Sequence, residues 1–335
     1  MRIAVDAMGG DHAPVEIVKG ALRSVEQFDI EVVLVGQTER IKECLPQGEL
    51  PKRIQIQEAS EVVEMDEHPA QAVRKKKDSS IVVATRMVKE GTADALVSAG
   101  STGAQMAASL LGLGRIKGID RPAIVTVLPT LEGGKLILDV GANPDAKPEH
   151  LVQYAMMGSI YAESILGIKN PKVGLLNIGA EETKGNELTL ATYPLLQKSP
   201  LNFIGNVEGR AVPYGRDADV VVCDGFVGNV VLKTTEGLAG ALFQLIKEKI
   251  TSTTVRKLGA LAIKPGLKEI AKMLDYAEYG GAPLLGVNGI SIISHGSSNE
   301  KAIFNAIRVA KECVESGFIE EIKQELPRFA SAQAE

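Results

Sequence analysis

The chain has 335 residues, 45% of them hydrophobic and 24% charged, enough for a sizeable core in one large domain or two interlocked lobes. A net charge of −5 gives no basic character that would attract nucleic acid, so an acidic partner must dock on a local basic patch. Cys44, Cys223 and Cys313 form neither a disulfide framework nor a metal-ligand pattern, which fits a reducing cytoplasm.

In chain order, the opening Met1-Arg2-Ile3-Ala4-Val5-Asp6 reads as a strand and not as a signal peptide. Short β-branched runs predict strands at Ile3–Ala7, Glu31–Val35, Ile54–Glu58, Ala95–Ser98, Ala123–Leu128, Lys135–Val140, Val173–Ile178, Leu201–Gly205, Val220–Cys223 and Ile290–Ser294. Between them, helical periodicity predicts helices at Val15–Gln27, Ser80–Glu90, Thr102–Leu111, Pro148–Ile165, Asn186–Leu196, Gly228–Ile250, Ser298–Ser316 and Ile319–Leu326. Continuously apolar strands separated by helices imply an α/β layered fold with a sheet buried on both faces. Only Pro129 to Gly134 separates two of the strands, too few residues for a crossover helix, so a hairpin and a mixed sheet are expected. No linker or repeat divides the chain, and residues 1–335 read as a single α/β unit, or two intertwined lobes. No apolar run approaches the ~20 residues that span a bilayer, although the protein is free to sit on a membrane surface.

The segment 251–274 departs from this regularity. Val255, Leu258, Leu261, Ala262 and Ile263 precede Pro265-Gly266, with Arg256, Lys257 and Lys264 interleaved, which predicts a projecting helical hairpin with one apolar and one basic side. Its apolar tip suits a membrane surface, or a dimer or core contact. The run Arg74-Lys75-Lys76-Lys77 is the most basic short stretch, either a solvated loop or a docking patch.

Five predicted strands end in glycine-rich polar loops, expected to converge on one edge of the sheet, where α/β folds bind ligands. They hold Asp6, Gly9, Gly10, Asp11 and His12; Ser98, Gly100, Ser101, Thr102 and Gly103; Lys184; Asp224, Gly225, Gly228 and Asn229; and His295. Glycine lets backbone N–H groups approach an anion, and the hydroxyls add short donors. Ser98 to Gly103 opens into a helix, so its amides suit phosphate, or Ser101 or Thr102 simply caps that helix. Lys184 is either a solvated lysine or the positive charge facing phosphate or a developing oxyanion. Asp224 either orients a donor or caps the following helix, and Asn229 in that helix's first turn offers an amide donor. No Ser-His-Asp spacing, nucleophile elbow or metal motif is present, so nothing favours a covalent acyl-enzyme.

At these loops the chain resembles the bacterial acyl-acyl-carrier-protein:phosphate acyltransferases over nearly its whole length. The resemblance rests on Ile3 to Pro14, on Ala72-Val73-Arg74-Lys75-Lys76-Lys77-Asp78-Ser79-Ser80, on Leu138-Asp139-Val140-Gly141-Ala142-Asn143, and on Val222 to Val230. Where that family carries Ser-Ala-Gly-Asn-Thr-Gly, this chain has Ser101 in place of Asn, which keeps a small polar donor.

The resemblance implies a three-layer α/β/α fold with a mixed, mainly parallel sheet, like that of phosphate acetyltransferases and isocitrate or isopropylmalate dehydrogenases. It implies transfer of a long-chain acyl group from acyl carrier protein to inorganic phosphate for phospholipid synthesis. Lys184, Asp224 and Asn229 would then be catalytic, with Asn143 among the substrate-binding residues. It further implies a homodimer with its site near the interface, docking of the acidic carrier on Arg74 to Lys77 or Arg256, Lys257 and Lys264, and no cofactor or metal. Membrane lipid and the downstream membrane glycerol-3-phosphate acyltransferase are the peripheral partners it suggests. The rival readings are a metal- and NAD-dependent hydroxy-acid dehydrogenase of the same fold and a non-catalytic membrane-associated scaffold.

Overall fold

The computed structural model describes residues 1–46 and 50–334. The strands are β1 (Arg2–Asp6), β2 (Glu31–Gly36), β3 (Ile54–Glu58), β4 (Ala95–Ser98), β5 (Ala123–Thr130), β6 (Gly133–Leu138), β7 (Val173–Asn177), β8 (Phe203–Glu208), β9 (Val220–Val222), β10 (Ala282–Leu285) and β11 (Ile290–Ile293). They form one sheet in the order β3-β2-β1-β4-β11-β10-β5-β6-β9-β7-β8. The helices are α1 (Val15–Gln27), α2 (Thr38–Lys42), α3 (Pro69–Lys75), α4 (Ser80–Lys89), α5 (Thr102–Gly112), α6 (Pro148–Ser164), α7 (Glu187–Lys198), α8 (Gly225–Ile250), α9 (Thr254–Leu274), α10 (Tyr276–Tyr279), α11 (Glu300–Ser316) and α12 (Phe318–Ala334).

Strand residues point alternately to the two faces, and both faces are buried. Ile3 and Val5 of β1 belong to a buried cluster that includes residues of α1, α6 and α11, whereas Ala4 between them belongs to one with residues of α3, α4 and α5. In the other half, Leu136 and Leu138 join the first layer and Ile137 joins a cluster with Val227 and Val231 of α8. The architecture is therefore three-layer α/β/α, with the sheet between two layers of helices.

Strands β3, β2, β1, β4 and β11 are parallel, as are β6, β9, β7 and β8. Between these blocks the pairs β11–β10, β10–β5 and β5–β6 are all antiparallel. Three reversals leave the two parallel blocks running in opposite senses. This corrects the expectation that all five loops lie on one sheet edge. The loops after β1, β4 and β11 leave one edge, and those after β6, β7 and β9 leave the other.

Strand β10 is absent from the sequence-based assignment, because Pro283 and the flanking glycines read as loop. The helix α3, with Pro69 in its first turn, stands where a surface loop was expected for Arg74 and Lys75.

The segment 251–274 also needs correction. Thr254–Leu274 is one helix with Pro265 inside it, and the hairpin is made by α8 and α9 around Thr251 to Thr253. An interior proline removes one backbone donor without ending the helix, which accounts for the misplaced break. No residue of α9 is buried, and Val255 and Leu258 are 80% and 66% exposed. At 100° per residue Val255, Leu258, Ala262 and Met273 share one face, with Lys257, Lys264, Lys268 and Lys272 opposite; Leu261, expected on the apolar side, falls among these lysines. No helix among the described residues is long and apolar enough to cross a membrane.

Candidate active site

The loops after β1, β4 and β11 meet around the buried Asp6. Its carboxylate accepts from Ser98 Oγ at 2.7 Å and from the Met8 amide at 3.2 Å. Burial pushes its pKa up, opposed by hydrogen bonds from the Ser80 and Ser98 hydroxyls and from the amides of Met8 and Gly9. A Cβ on Gly9 would lie 2.8 Å from the Gly100 nitrogen, so glycine here lets two loops touch through their backbones. The Asp11 amide donates to the Gly296 carbonyl at 2.8 Å and brings in the third loop. Ser98 is thus committed to Asp6 and to the Gly100 amide. Ser101 is the N-cap of α5, its Oγ accepting from the Ala104 amide, and Thr102 begins the helix, exposed. His12 is exposed.

The second cluster is organised by Asp139, a fully buried carboxylate. Its Oδ1 accepts from the amides of Ile124, Gly141 and Ala142 at 3.0, 3.2 and 2.9 Å. Its Oδ2 accepts from the backbone amide and side chain of Asn143 at 2.7 and 3.0 Å. Burial still leaves its pKa raised despite these donors. Asn143 also donates to the Pro122 carbonyl, so it holds the loop together. Sequence reasoning named Asn143 and missed Asp139 as the hub. The signal lay in a carboxylate following three apolar strand residues and preceding Val-Gly-Ala-Asn.

Against this loop sits the start of α8. Asp224 is its N-cap, with Oδ1 accepting from the amides of Phe226 and Val227 at 3.0 and 2.9 Å. The capping alternative is the one realised. Gly225 and Gly228 let the helix press on the Asp139–Asn143 backbone, since a Cβ on Gly228 would fall 1.9 Å from the Asp139 carbonyl oxygen. Asn229 is exposed, and its side chain lies beside Gly141.

The two clusters share a cavity of about 520 Å³ lined by Thr102, Ser294 and His295 from one and by Val140 and Asn229 from the other. Leu232, Lys233 and Glu236 of α8 continue its wall, and Lys233 pairs with Glu236 at 2.9 Å. Lys233 was missed in the sequence, although positions 229, 232, 233 and 236 share one helix face. Most other walls are aliphatic, including Ile124, Leu128, Ile165 and Leu166. His295 Nδ1 lies 2.8 Å from Ser297 Oγ and 3.2 Å from the Ser297 amide nitrogen, which fixes the ring on its loop.

Two sets of predicted residues stand elsewhere. Lys184 does not line the cavity; it is exposed on the loop after β7, where its carbonyl accepts from Asn177 Nδ2 at 3.0 Å. In the basic run, Lys76 is held by Glu67 at 2.5 Å and by the Val62 carbonyl, leaving Arg74, Lys75 and Lys77 exposed.

The contact between α8 and the Asp139 loop is the tightest element of the site. Gly228→Ala should lower stability by about 1–3 kcal/mol through overpacking against backbone, read as a lower urea midpoint with reduced turnover. An unchanged midpoint would contradict the contact.

A family model described as "Fatty acid synthesis protein" matches residues 1–321. A phosphate acyltransferase of Desulfitobacterium hafniense is 91% identical over 333 residues, covering 99% of this chain and 100% of that one. One from Heliobacterium modesticaldum is 64% identical over 329 residues, covering 98% of each. Among solved structures, a phosphotransacetylase from Streptococcus pyogenes superposes with a TM-score of 0.63 at 18% identity, covering 96% of this chain and 94% of that one. A 4-hydroxythreonine-4-phosphate dehydrogenase from Klebsiella pneumoniae gives 0.53 at 13% identity, covering 93% and 99%. These two likenesses show the fold alone, which acyltransferases and dehydrogenases share. Identity over the full length, not the shared fold, decides between them: the chain is an acyltransferase and belongs to the phosphate acyltransferase family.

Proposed function

We propose that the protein transfers a long-chain fatty acyl group from the thioester of acyl carrier protein to inorganic phosphate, giving an acyl phosphate for phosphatidic acid synthesis. The lining of the cavity carries this reading: it combines aliphatic walls with the polar groups Thr102, Asn229 and His295. Each acyl methylene buried against such walls contributes about 0.8 kcal/mol.

In this scheme the free N–H groups at the start of α5 and the Thr102 hydroxyl hold phosphate. A phosphate oxygen attacks the thioester carbonyl carbon, and the carbonyl electrons move onto oxygen, where the Asn229 amide donates. Collapse re-forms the carbonyl and expels the pantetheine thiolate. Phosphate is nucleophilic at neutral pH, so orientation and oxyanion stabilisation supply the rate without an activated side chain. Asp224 acts by capping α8 and so aiming Asn229. Lys184, outside the cavity, draws phosphate toward it.

The exposed Arg74, Lys75 and Lys77 suit the acidic carrier. Their helix α3 packs on α5, where a Cβ on Gly103 would lie 2.7 Å from Pro69 Cγ. Arg256, Lys257 and Lys264 of α9 form a second basic surface, next to the apolar Val255, Leu258, Ala262 and Ile263, which suit a lipid surface.

Three measurements test this reading. Incubation with acyl carrier thioester and phosphate, followed by hydroxylamine, should trap acyl hydroxamate. In that assay Asn229→Ala should lower turnover by about 10²-fold, and Lys184→Ala should lower it at subsaturating phosphate. Normal turnover in both variants would remove these residues from the mechanism. Raising ionic strength beyond ~0.1 M, where the Debye length is about 10 Å, should raise the KM for the carrier more than that for phosphate; equal changes would defeat charged docking. Liposome co-sedimentation should be lost in the Leu258→Glu, Ile263→Glu double variant, and unchanged sedimentation would defeat the membrane contact.

A further inference from the structure

The cavity exists because the sheet splits. β5 and β10 pair only at Leu284↔Ile124 and Leu285↔Ala123, although β5 runs on to Thr130. The direction of the β5 backbone groups follows from its other neighbour. The Ile124 amide donates to Asp139 Oδ1 and its carbonyl accepts from the Val140 amide, so even-numbered residues of β5 face β6. Odd-numbered residues therefore face β10. Ala123 and Leu285 form a hydrogen-bonded pair, and the next would join Val125 to Pro283. Pro283 has no N–H, so that rung lacks one of its two bonds, and the strands diverge.

Past this point the β5 edge presents to the cavity the Val125 carbonyl, both backbone groups of Val127 and the Pro129 carbonyl. The opposite edge presents Gly281, and beside it stands Ser294: a Cβ on Gly281 would lie 3.2 Å from Ser294 Oγ. Ser294 is 5% exposed and lines the cavity; in this rotamer its hydroxyl oxygen is shielded from solvent and has no hydrogen-bond partner. A buried hydroxyl without a partner costs free energy unless a ligand or water satisfies it.

We propose that this gap is the seat of the donor's pantetheine arm, which enters as an added strand and pairs its two amides with the β5 edge and with Ser294 Oγ. The inference rests on the thioester reading above. An extended chain with secondary amides is the chemistry that a lone strand edge recognises, since it offers one donor and one acceptor per amide between apolar walls. An acyl chain in the same place would leave the strand edge and Ser294 unsatisfied. The arm lies beside Asn229, Thr102 and His295, so its sulfur reaches the polar end without leaving the cavity.

The test compares two palmitoyl thioesters, one of pantetheine and one of propanethiol, which lacks amides. Ser294→Ala should raise the KM for the pantetheine donor about fivefold to tenfold, the effect of one hydrogen bond, with kcat little changed and the KM for the propanethiol donor unaltered. An equal change for both donors, or none for either, overturns the proposal. In the wild-type protein S-hexadecyl pantetheine, a non-reactive thioether, should slow hydrogen exchange at the Val127 amide, whereas hexadecyl propyl sulfide should not. Equal protection by both, or by neither, also overturns it, whatever becomes of the folded state of the variant. Failure of every thioester to yield trapped acyl phosphate is a separate outcome, against the proposed reaction itself.

Discussion

The backbone ladder between β5 and β10 stops after two residue pairs because Pro283 cannot donate to the next rung. Had it continued, β10 would pair with β5 as far as Thr126. With the ladder interrupted, a cavity opens at the centre of the sheet, where α5 from one block and α8 from the other contribute polar groups to one space. The strand reversals that precede the split matter as much. They send the carboxyl ends of the blocks to opposite edges, so neither loop cluster alone makes the site.

Each cluster is built on a buried aspartate. Asp6 ties the loops after β1 and β4, and Asp139 gathers the residues after β6 under the start of α8. Both carboxyls have pKa values raised by burial and opposed by surrounding donors. Their oxygens are occupied by protein N–H and O–H groups, which makes them organisers of loops rather than acid–base groups. The glycines around them serve the same packing: Gly9 lets the Gly100 backbone approach, and Gly228 lets α8 rest on the Asp139 carbonyl. In the proposed mechanism the chemistry falls to side chains that project past this scaffold, Asn229 above all.

Much of this was legible in the sequence where the governing contacts are local. Helix α1 falls at the predicted Val15–Gln27, and the β5–β6 hairpin follows from its short connection. Asp224 could be read as a cap because the amides it accepts from are two and three residues away. What stayed hidden depends on distant partners. Asp139 accepts from Ile124, fifteen residues earlier, and Ser98 reaches Asp6 across ninety-two. Strand direction hid for the same reason, since β10 carries a proline and sits between β11 and β5, far from its neighbour β5 in the chain. Pro265-Gly266 reads locally as a turn, whereas the helix tolerates the loss of a single donor and continues through it. Lys76 belongs by sequence to the basic run, but Glu67, nine residues away, pairs with it.

If the split between β5 and β10 holds the reactants, a crystal structure with phosphate and S-hexadecyl pantetheine will show the pantetheine chain between Val127 and Ser294, with phosphate near Thr102 and Asn229. Strands β5 and β10 paired beyond Ile124, with both ligands bound elsewhere, would contradict it.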